Sequence, residues 1–488
     1  MSLGYLTKHA LLGPTMAVPV SELGDNWVDA AWYKSMTVTP TASSVSNRAP
    51  PPVHVSQVRA GWLHIPRFLG MTLIGPGVKD RRTEGVAMSD TLEFSGTLRE
   101  SPPQIEATAK VVQQIRDLGG AMLVLPCGFG KTVCSIWVLT QLRRRALILV
   151  HSGALADQWY SRIGTFLPGV RVGRIQQDTV DVDGCDVVVG MIQSVVRRDY
   201  DKNMLATFGT VVVDEAHHVA APSFASCLRK LPARYVLGLS ATPDRKDGLG
   251  HILPWLLGPV AFEAQRETNE LVDVRMVDYV DPSNQVELLD YQGKPRYVKM
   301  LTSITINPER NRQIAQAIVK NVKQGRCLIV LSERRDQLVH IQSLLLAEEQ
   351  SVDITVERPR KRRRKSDPPP EALPPPPSDA KLVVARVVGG TTEEVRDHGF
   401  KHFNVLLSTY AYAAEGIDIP RLDTLVMASP GVNVKQTVGR ILRQHSGKKT
   451  PLVIDVKDPF SLFSAIGWKR HNYYSSQNYR ISYEKWQA

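Results

Sequence analysis

Between Leu92 and Arg266 the chain alternates short apolar runs with stretches of helical periodicity: AMLVLP, RALILV, CDVVVG, TVVVDE and YVLGLSAT. These runs are rich in β-branched residues and lack polar alternation, which is the pattern of strands buried on both faces. The helical stretches between them predict a parallel sheet with helices packed on its faces. A second series begins near Val272, with VRMVDYV, RCLIVLS, KLVVARVVGG, NVLLST, TLVMAS and PLVIDV. The expected fold class is therefore α/β, with one unit over 94–270 and another over 271–488. Two such units leave a cleft between them, and domain interfaces are favoured ligand sites.

Residues 1–93 read differently. They carry Trp27, Trp32 and Trp62, a Pro/Ser/Thr-rich middle (TPTASSVSNRAPPP) and short strand-like runs such as GWLHIPRF. A small accessory domain with a flexible segment is expected. Its aromatics suit a core, with stacking on bases beside Arg67 as the alternative. Inside the second unit, RPRKRRRK is followed by SDPPPEALPPPP. Such sequence suits neither a helix interior nor a central strand, so an exposed insertion is expected over about 357–380.

Composition changes this picture little. The chain has 488 residues, 43% hydrophobic and 22% charged, as in an ordinary globular protein. Of the net charge of +12, seven come from 358–365, leaving the rest only mildly basic. That run reads as a solvated loop, or as a nuclear-import or nucleic-acid-touching segment. The five cysteines are scattered without a CxxC pair, which suits a reducing compartment and argues against a cysteine-rich zinc site. With no apolar run of transmembrane length and no signal-peptide layout, an intracellular, soluble protein without a membrane partner is expected.

The chemistry sits at the ends of the apolar runs. LPCGFGKTV, Leu125 to Val133, follows a strand-like run and opens a helical one, the context of a phosphate loop. Gly128 and Gly130 would turn backbone N–H groups toward phosphate oxygens, and the helix amino end adds positive potential. Lys131 would reach the β- and γ-phosphates, and the Thr132 hydroxyl would ligate Mg²⁺. VVVDEAHH places Asp214 and Glu215 after another strand. Alone, the pair also reads as an acidic helix start. With a phosphate loop upstream, Asp214 fits a second Mg²⁺ ligand and Glu215 the base for an attacking water. His217 would link the nucleotide to the second unit. Ser240 and Thr242, in GLSATPDRKDG, suit a hydrogen-bond relay or an ordinary proline turn. In QTVGRILRQ, Arg440 and Arg443 stand three apart and would share a helix face, as arginine fingers or as a solvated basic surface.

Taken in order, LPCGFGKT, DEAH, SAT, STYAYAAEGIDIP and QTVGRILR resemble a superfamily 2 helicase from Leu98 to about Asp455. The spelling LPCGFGK is similar to the XPB branch, and AAEGIDIP to helicases of large DNA viruses and to UvsW-like proteins. HIPRFLG resembles the accessory part of the viral group. The resemblance implies two tandem RecA-like domains, ATP and Mg²⁺ as cofactors, and DNA, single- or double-stranded, as partner, with RNA as the alternative. LRESPPQ resembles the adenine-reading element, making Gln104 the adenine reader, although Pro103 stands where that branch carries an aromatic. Gly416, Asp418 and Gln436 would also bind the nucleotide. Ser152, Gln158, Trp159, Gln193 and Thr409 lie near the family's strand-contacting positions. Arg245-Lys246-Asp247 departs from the branch's Arg-Glu-Asp element, so no wedge function is carried over.

The expected function is an ATP-dependent DNA helicase or translocase serving transcription, repair or recombination machinery. An ATP-gated clamp or annealing protein, or a factor that displaces RNA from transcript complexes, are the competing readings. Expected sites of action are the nucleus, through the basic run, or a virion or infected host cell if the protein is viral.

Overall fold

A computed structural model describes residues 9–40, 51–75, 77–126, 128–216, 226–241, 248–264, 271–355, 381–389, 391, 393–417, 419–431, 434–443, 445 and 447–488. His217, Thr242, Asp418, the Arg245–Asp247 triplet and the basic and proline-rich stretch within 357–380 lie outside them. The chain divides into two compact units, Met1–Arg266 and Glu267–Ala488.

In the first unit, Ala146–Val150, Thr210–Val213, Tyr235–Ser240 and Gly120–Val124 lie side by side, all parallel. Val187–Met191 and Val172–Gln176 extend the sheet on one side and Val260–Glu263 on the other. Alternation along each strand divides the core. Met122, Leu147, Leu149, Val211 and Val213 enter one buried cluster, while Leu123, Ile148, Val150, Val212 and Leu237 enter another. Both faces are covered, which is why these strands read as unbroken apolar runs. The first strand in sequence lies beside the last of the central four, so the chain turns to the sheet's other side after Val124. Open α/β sheets bind ligands at such strand ends.

The amino-terminal region contributes its own sheet, in the order Gln57–Arg59, Trp62–Pro66, Thr15–Pro19, Leu11–Leu12 and Lys79–Asp80. It shares a core with the larger sheet: Met16, Val18, Leu63 and Ile65 belong to the cluster of Met122 and Val211. Phe68 packs on Gly120 so closely that a Cβ there would lie 2.0 Å from its ring. Arg67, weighed as a companion to base-stacking aromatics, is buried instead. It donates to the carbonyls of Ala233 (2.9 Å) and Leu231 (3.5 Å), and burial lowers its proton affinity.

The second unit repeats the plan. Val405–Thr409, Leu328–Ser332, Thr424–Met427, Leu452–Lys457, Asp273–Val280 and Arg480–Gln487 are parallel neighbours in that order. Its core is likewise split by alternation, with Ile329, Leu331 and Met427 on one face and Leu328, Val330 and Val426 on the other. A bidentate ion pair joins Arg310 to Asp458 at 2.9 and 3.0 Å with both side chains fully buried, and Arg310 also donates to the Ala428 carbonyl. The α/β architecture with two RecA-like units is the one expected.

Candidate nucleotide site

The phosphate loop begins where Leu125 N–H donates to the Ser240 carbonyl at 3.1 Å, tying it to the neighbouring strand. Gly128 and Gly130 have φ of +88° and +86°, the left-handed region in which a Cβ is costly. Gly130 caps the helix Lys131–Leu142. Lys131 Nζ crosses back over the loop to the Leu125 carbonyl at 3.2 Å and stands 3.7 Å from Glu215 Oε1. Thr132 follows in the first turn of that helix.

Gln104, at the start of the helix Gln104–Leu118, is buried against the loop. Its Nε2 donates to the Phe129 carbonyl at 2.9 Å, and its Oε1 accepts from Arg99 N–H at 3.0 Å. A Cβ on Gly130 would lie 2.4 Å from that Nε2. Gln104 thus buttresses the loop through its carboxamide.

Asp214 follows the strand Thr210–Val213 and is 5% exposed. Its Oδ1 accepts from Glu215 N–H at 2.9 Å and its Oδ2 from the Trp159 indole at 2.8 Å. Burial and the neighbouring Glu215 charge push its pKa up to about 6, against the lowering influence of Trp159 and Lys131. Glu215 takes φ of +46°, rare for a residue with a side chain. The pair therefore forms a turn directly after the strand.

In the second unit the helix Val434–Val438 is short, and Arg440 and Arg443 come after it. The helical face expected for them is therefore not formed. Past Gly439 the backbone bonds tighten to three-residue steps, Arg440 N–H to Thr437 and Ile441 N–H to Val438. The turns nonetheless bring both guanidinium groups to one carbonyl, that of Ile417, at 2.7 and 3.3 Å. Gly416 ends the helix Tyr410–Gly416 immediately before it, and Gln436 is buried on the short helix.

The residues expected at nucleic acid fall into two groups. Ser152 and Thr409 cap the helices Gly153–Phe166 and Tyr410–Gly416, each accepting a backbone N–H at 3.4 Å. Gln193 donates to the His151 carbonyl at 2.9 Å, and Gln158 is half-buried on the capped helix. Trp159 corrects the expectation, because its side chain is wholly buried and its only donor is spent on Asp214. Leu155, Trp159 and Ile163 recur at four-residue spacing on the buried face of Gly153–Phe166. That period was the available signal for an inward Trp159. Nothing in the spacing marked Arg99 or the Leu125 carbonyl as partners, since both act through backbone atoms.

A glycine loop, a helix amino end, a lysine and a carboxylate pair on two strand ends of one parallel sheet define a P-loop ATPase, here followed by a second RecA-like unit. Residues 97–245 match the family described as the res subunit of type III restriction enzymes. The chain is 28% identical to a protein of Acanthamoeba polyphaga mimivirus provisionally named ATP-dependent RNA helicase L396, over 86% of this chain and 76% of the relative. It is 29% identical to the African swine fever virus protein provisionally named ATP-dependent RNA helicase QP509L, over 74% and 70%. Among solved structures, the Vibrio vulnificus HsdR-type subunit fragment of a type I restriction enzyme is similar in fold. Its TM-score is 0.52 at 16% identity, over 81% of this chain and 70% of that one. These findings support a superfamily 2 helicase related to those of large DNA viruses. The same matches support ATP-dependent action on nucleic acid. Among the described residues no helix is long and apolar enough to cross a membrane.

Proposed function

We propose that this helicase is a DNA motor, using single- or double-stranded DNA as its track in viral-type transcription, repair or recombination. The observation that supports an active motor most directly is the meeting of Lys131, Asp214 and Glu215 at the strand ends beside the glycine loop. In this reading the N–H groups of 128–130 hold the phosphates, and Lys131 exchanges the Leu125 carbonyl and Glu215 for β- and γ-phosphate oxygens. Thr132 and Asp214 fit Mg²⁺, a hard cation that takes one or two carboxylates and otherwise phosphates and waters. Bound there, it would neutralise phosphate charge. Glu215 orients and deprotonates the attacking water. Arg440 and Arg443 donate to the γ-phosphate, a contribution of about 10³–10⁵ in rate for an arginine finger. Gln104, Gly416 and Gln436, with His217 and Asp418 from outside the described residues, complete the nucleotide contacts.

Ser152, Gln158, Gln193 and Thr409 would touch phosphate and sugar, which position a strand without reading its sequence. DNA is favoured by the motif spelling shared with the XPB branch. RNA is the second reading, favoured by the names of the viral relatives. Those relatives also support action in an infected cell or a virion, with 358–365 as an import signal. In domain terms, 1–93 is proposed as the accessory part, 94–270 and 271–488 as the two RecA-like domains.

Steady-state ATP hydrolysis with no nucleic acid, single-stranded DNA, duplex DNA and single-stranded RNA tests this, with Glu215→Gln as the blank. The expected result is strong stimulation by DNA that the blank lacks. Stimulation by RNA alone overturns the DNA assignment, and no hydrolysis at all leaves an ATP-gated clamp. Duplex unwinding then separates a helicase from an annealing protein, and release of transcripts from a stalled polymerase identifies the RNA-displacing alternative.

A further inference from the structure

The second unit carries a ladder of three rings that the nucleotide chemistry leaves unused. Trp468 and His471 are three residues apart on the helix Ser461–Ser476 and so share a face. Their rings stack at 5.1 Å with planes 6° apart, and His471 stacks in turn on Tyr483 at 6.2 Å with planes 29° apart. A 2.8 Å hydrogen bond joins His471 Nε2 and the Tyr483 hydroxyl, which comes from the edge strand Arg480–Gln487. Trp468 is 64% exposed and Tyr483 63%. Scattered exposed aromatics are ordinary. Three stacked rings, locked by a hydrogen bond between helix and strand, make a surface with built geometry.

Beside the ladder lies a cavity of 240 Å³ whose lining includes Asp278, Lys457, Pro459, Trp468 and Tyr483. The lining also holds Asp458 and is not itself basic; the positive charge lies on the exposed surface beside the rings. Residues 461–488 present Lys469 and Lys485 at exposed positions, with Arg480 paired to Asp273 at 2.7 Å and Glu484 as the one carboxylate of that stretch. Strand alternation puts Glu484 on the face opposite Tyr483, where it pairs with Arg275 at 3.0 Å. Lys485 shares the Tyr483 face, and Lys457, paired with Asp278 at 2.9 Å, lines the cavity. Flat rings flanked by lysines match a chain of bases and phosphates better than an apolar protein surface, because every base has a π-face to stack.

We propose that Trp468, His471 and Tyr483 form a stacking platform for unpaired bases of a single-stranded nucleic acid, with Lys457, Lys469 and Lys485 meeting its phosphates. The platform rests on the nucleic-acid motor reading, and stacking accepts DNA and RNA alike. Fluorescence anisotropy of labelled oligothymidylate and oligouridylate on the full chain tests it. Trp468→Ala and Tyr483→Ala each weaken binding about tenfold, within the range of base–aromatic stacking, while Trp468→Phe keeps most of the affinity. Lys485→Ala lowers the slope of log affinity against log salt by about one. Wild-type affinity in Trp468→Ala overturns the platform, as does a Trp468→Phe variant as weak as the alanine. A wild-type ATPase that neither oligonucleotide stimulates is a separate result, and counts against the motor reading itself.

Discussion

In the proposed mechanism, Trp159 acts on Asp214 from inside the fold. Its indole N–H is one of two hydrogen bonds donated to Asp214, a carboxylate that burial and Glu215 both push toward the protonated form. Trp159→Phe keeps most of the ring volume and removes that donor, worth about 1.5–3 kcal/mol for a hydrogen bond to a charged group. The acid limb of the ATPase pH profile is expected to move to higher pH, with activity partly restored under alkaline conditions. An unmoved profile would mean that the bond does not hold Asp214 ionised. The same group predicts a stability effect. With a native pKa raised from 3.8 to about 6, the folded state binds the Asp214 proton more tightly than the unfolded state. That contribution is full below the unfolded value and is lost as pH rises through the native one. Asp214→Asn lacks it, so urea titrations should show the variant gaining on wild type between these two pKa values. The expected gain is on the order of 1–3 kcal/mol.

At the scale of elements, the loop and the helix behind it are fitted to each other. Gly130 holds φ of +86° directly over Gln104 Nε2, so Gly130→Ala adds both backbone strain and a clash. Nucleotide affinity is expected to fall at least tenfold with the fold retained, measured by titration with a fluorescent ATP analogue. Retained affinity would show that the loop can rebuild without Gln104. The accessory sheet is fastened comparably by Arg67. Arg67→Ala leaves the carbonyls of Leu231 and Ala233 without this buried donor, a loss of about 1–3 kcal/mol per unsatisfied group. Limited proteolysis should then cut the amino-terminal sheet from an otherwise folded unit; equal resistance in variant and wild type would deny Arg67 that role.

For the molecule as a whole, the two compact units have different vulnerabilities. The second depends on an ion pair with no solvent around it. Asp458→Ala strands the Arg310 charge, a change that costs about 3–5 kcal/mol for a buried pair. Differential scanning calorimetry is expected to show one transition moving down while the transition of the first unit stays in place. A shift of both together would mean that the units unfold cooperatively. Replacing Arg310 and Asp458 together by apolar residues should recover much of the loss, because the isolated charge rather than the missing attraction is what destabilises.

The buried strands of both units, the glycine loop and the carboxylate pair were legible in the chain, since each is written in local periodicity or in contiguous residues. Strands buried on two faces must be apolar throughout, and a loop that turns N–H groups inward needs glycine, whatever surrounds them. The edge strand Arg480–Gln487 was not legible, because most of its positions are exposed and its pairing with Asp273–Val280 spans most of the unit. Nor were the inward turn of Trp159, the turns that replace a helix at Arg440 and Arg443, or the burial of Arg67 and Arg310. Each depends on a partner distant in sequence: Asp214, the Ile417 carbonyl, the carbonyls of Leu231 and Ala233, and Asp458. A polar or aromatic side chain goes inward only where the fold supplies the group that satisfies it, and only the tertiary structure brings that group within reach.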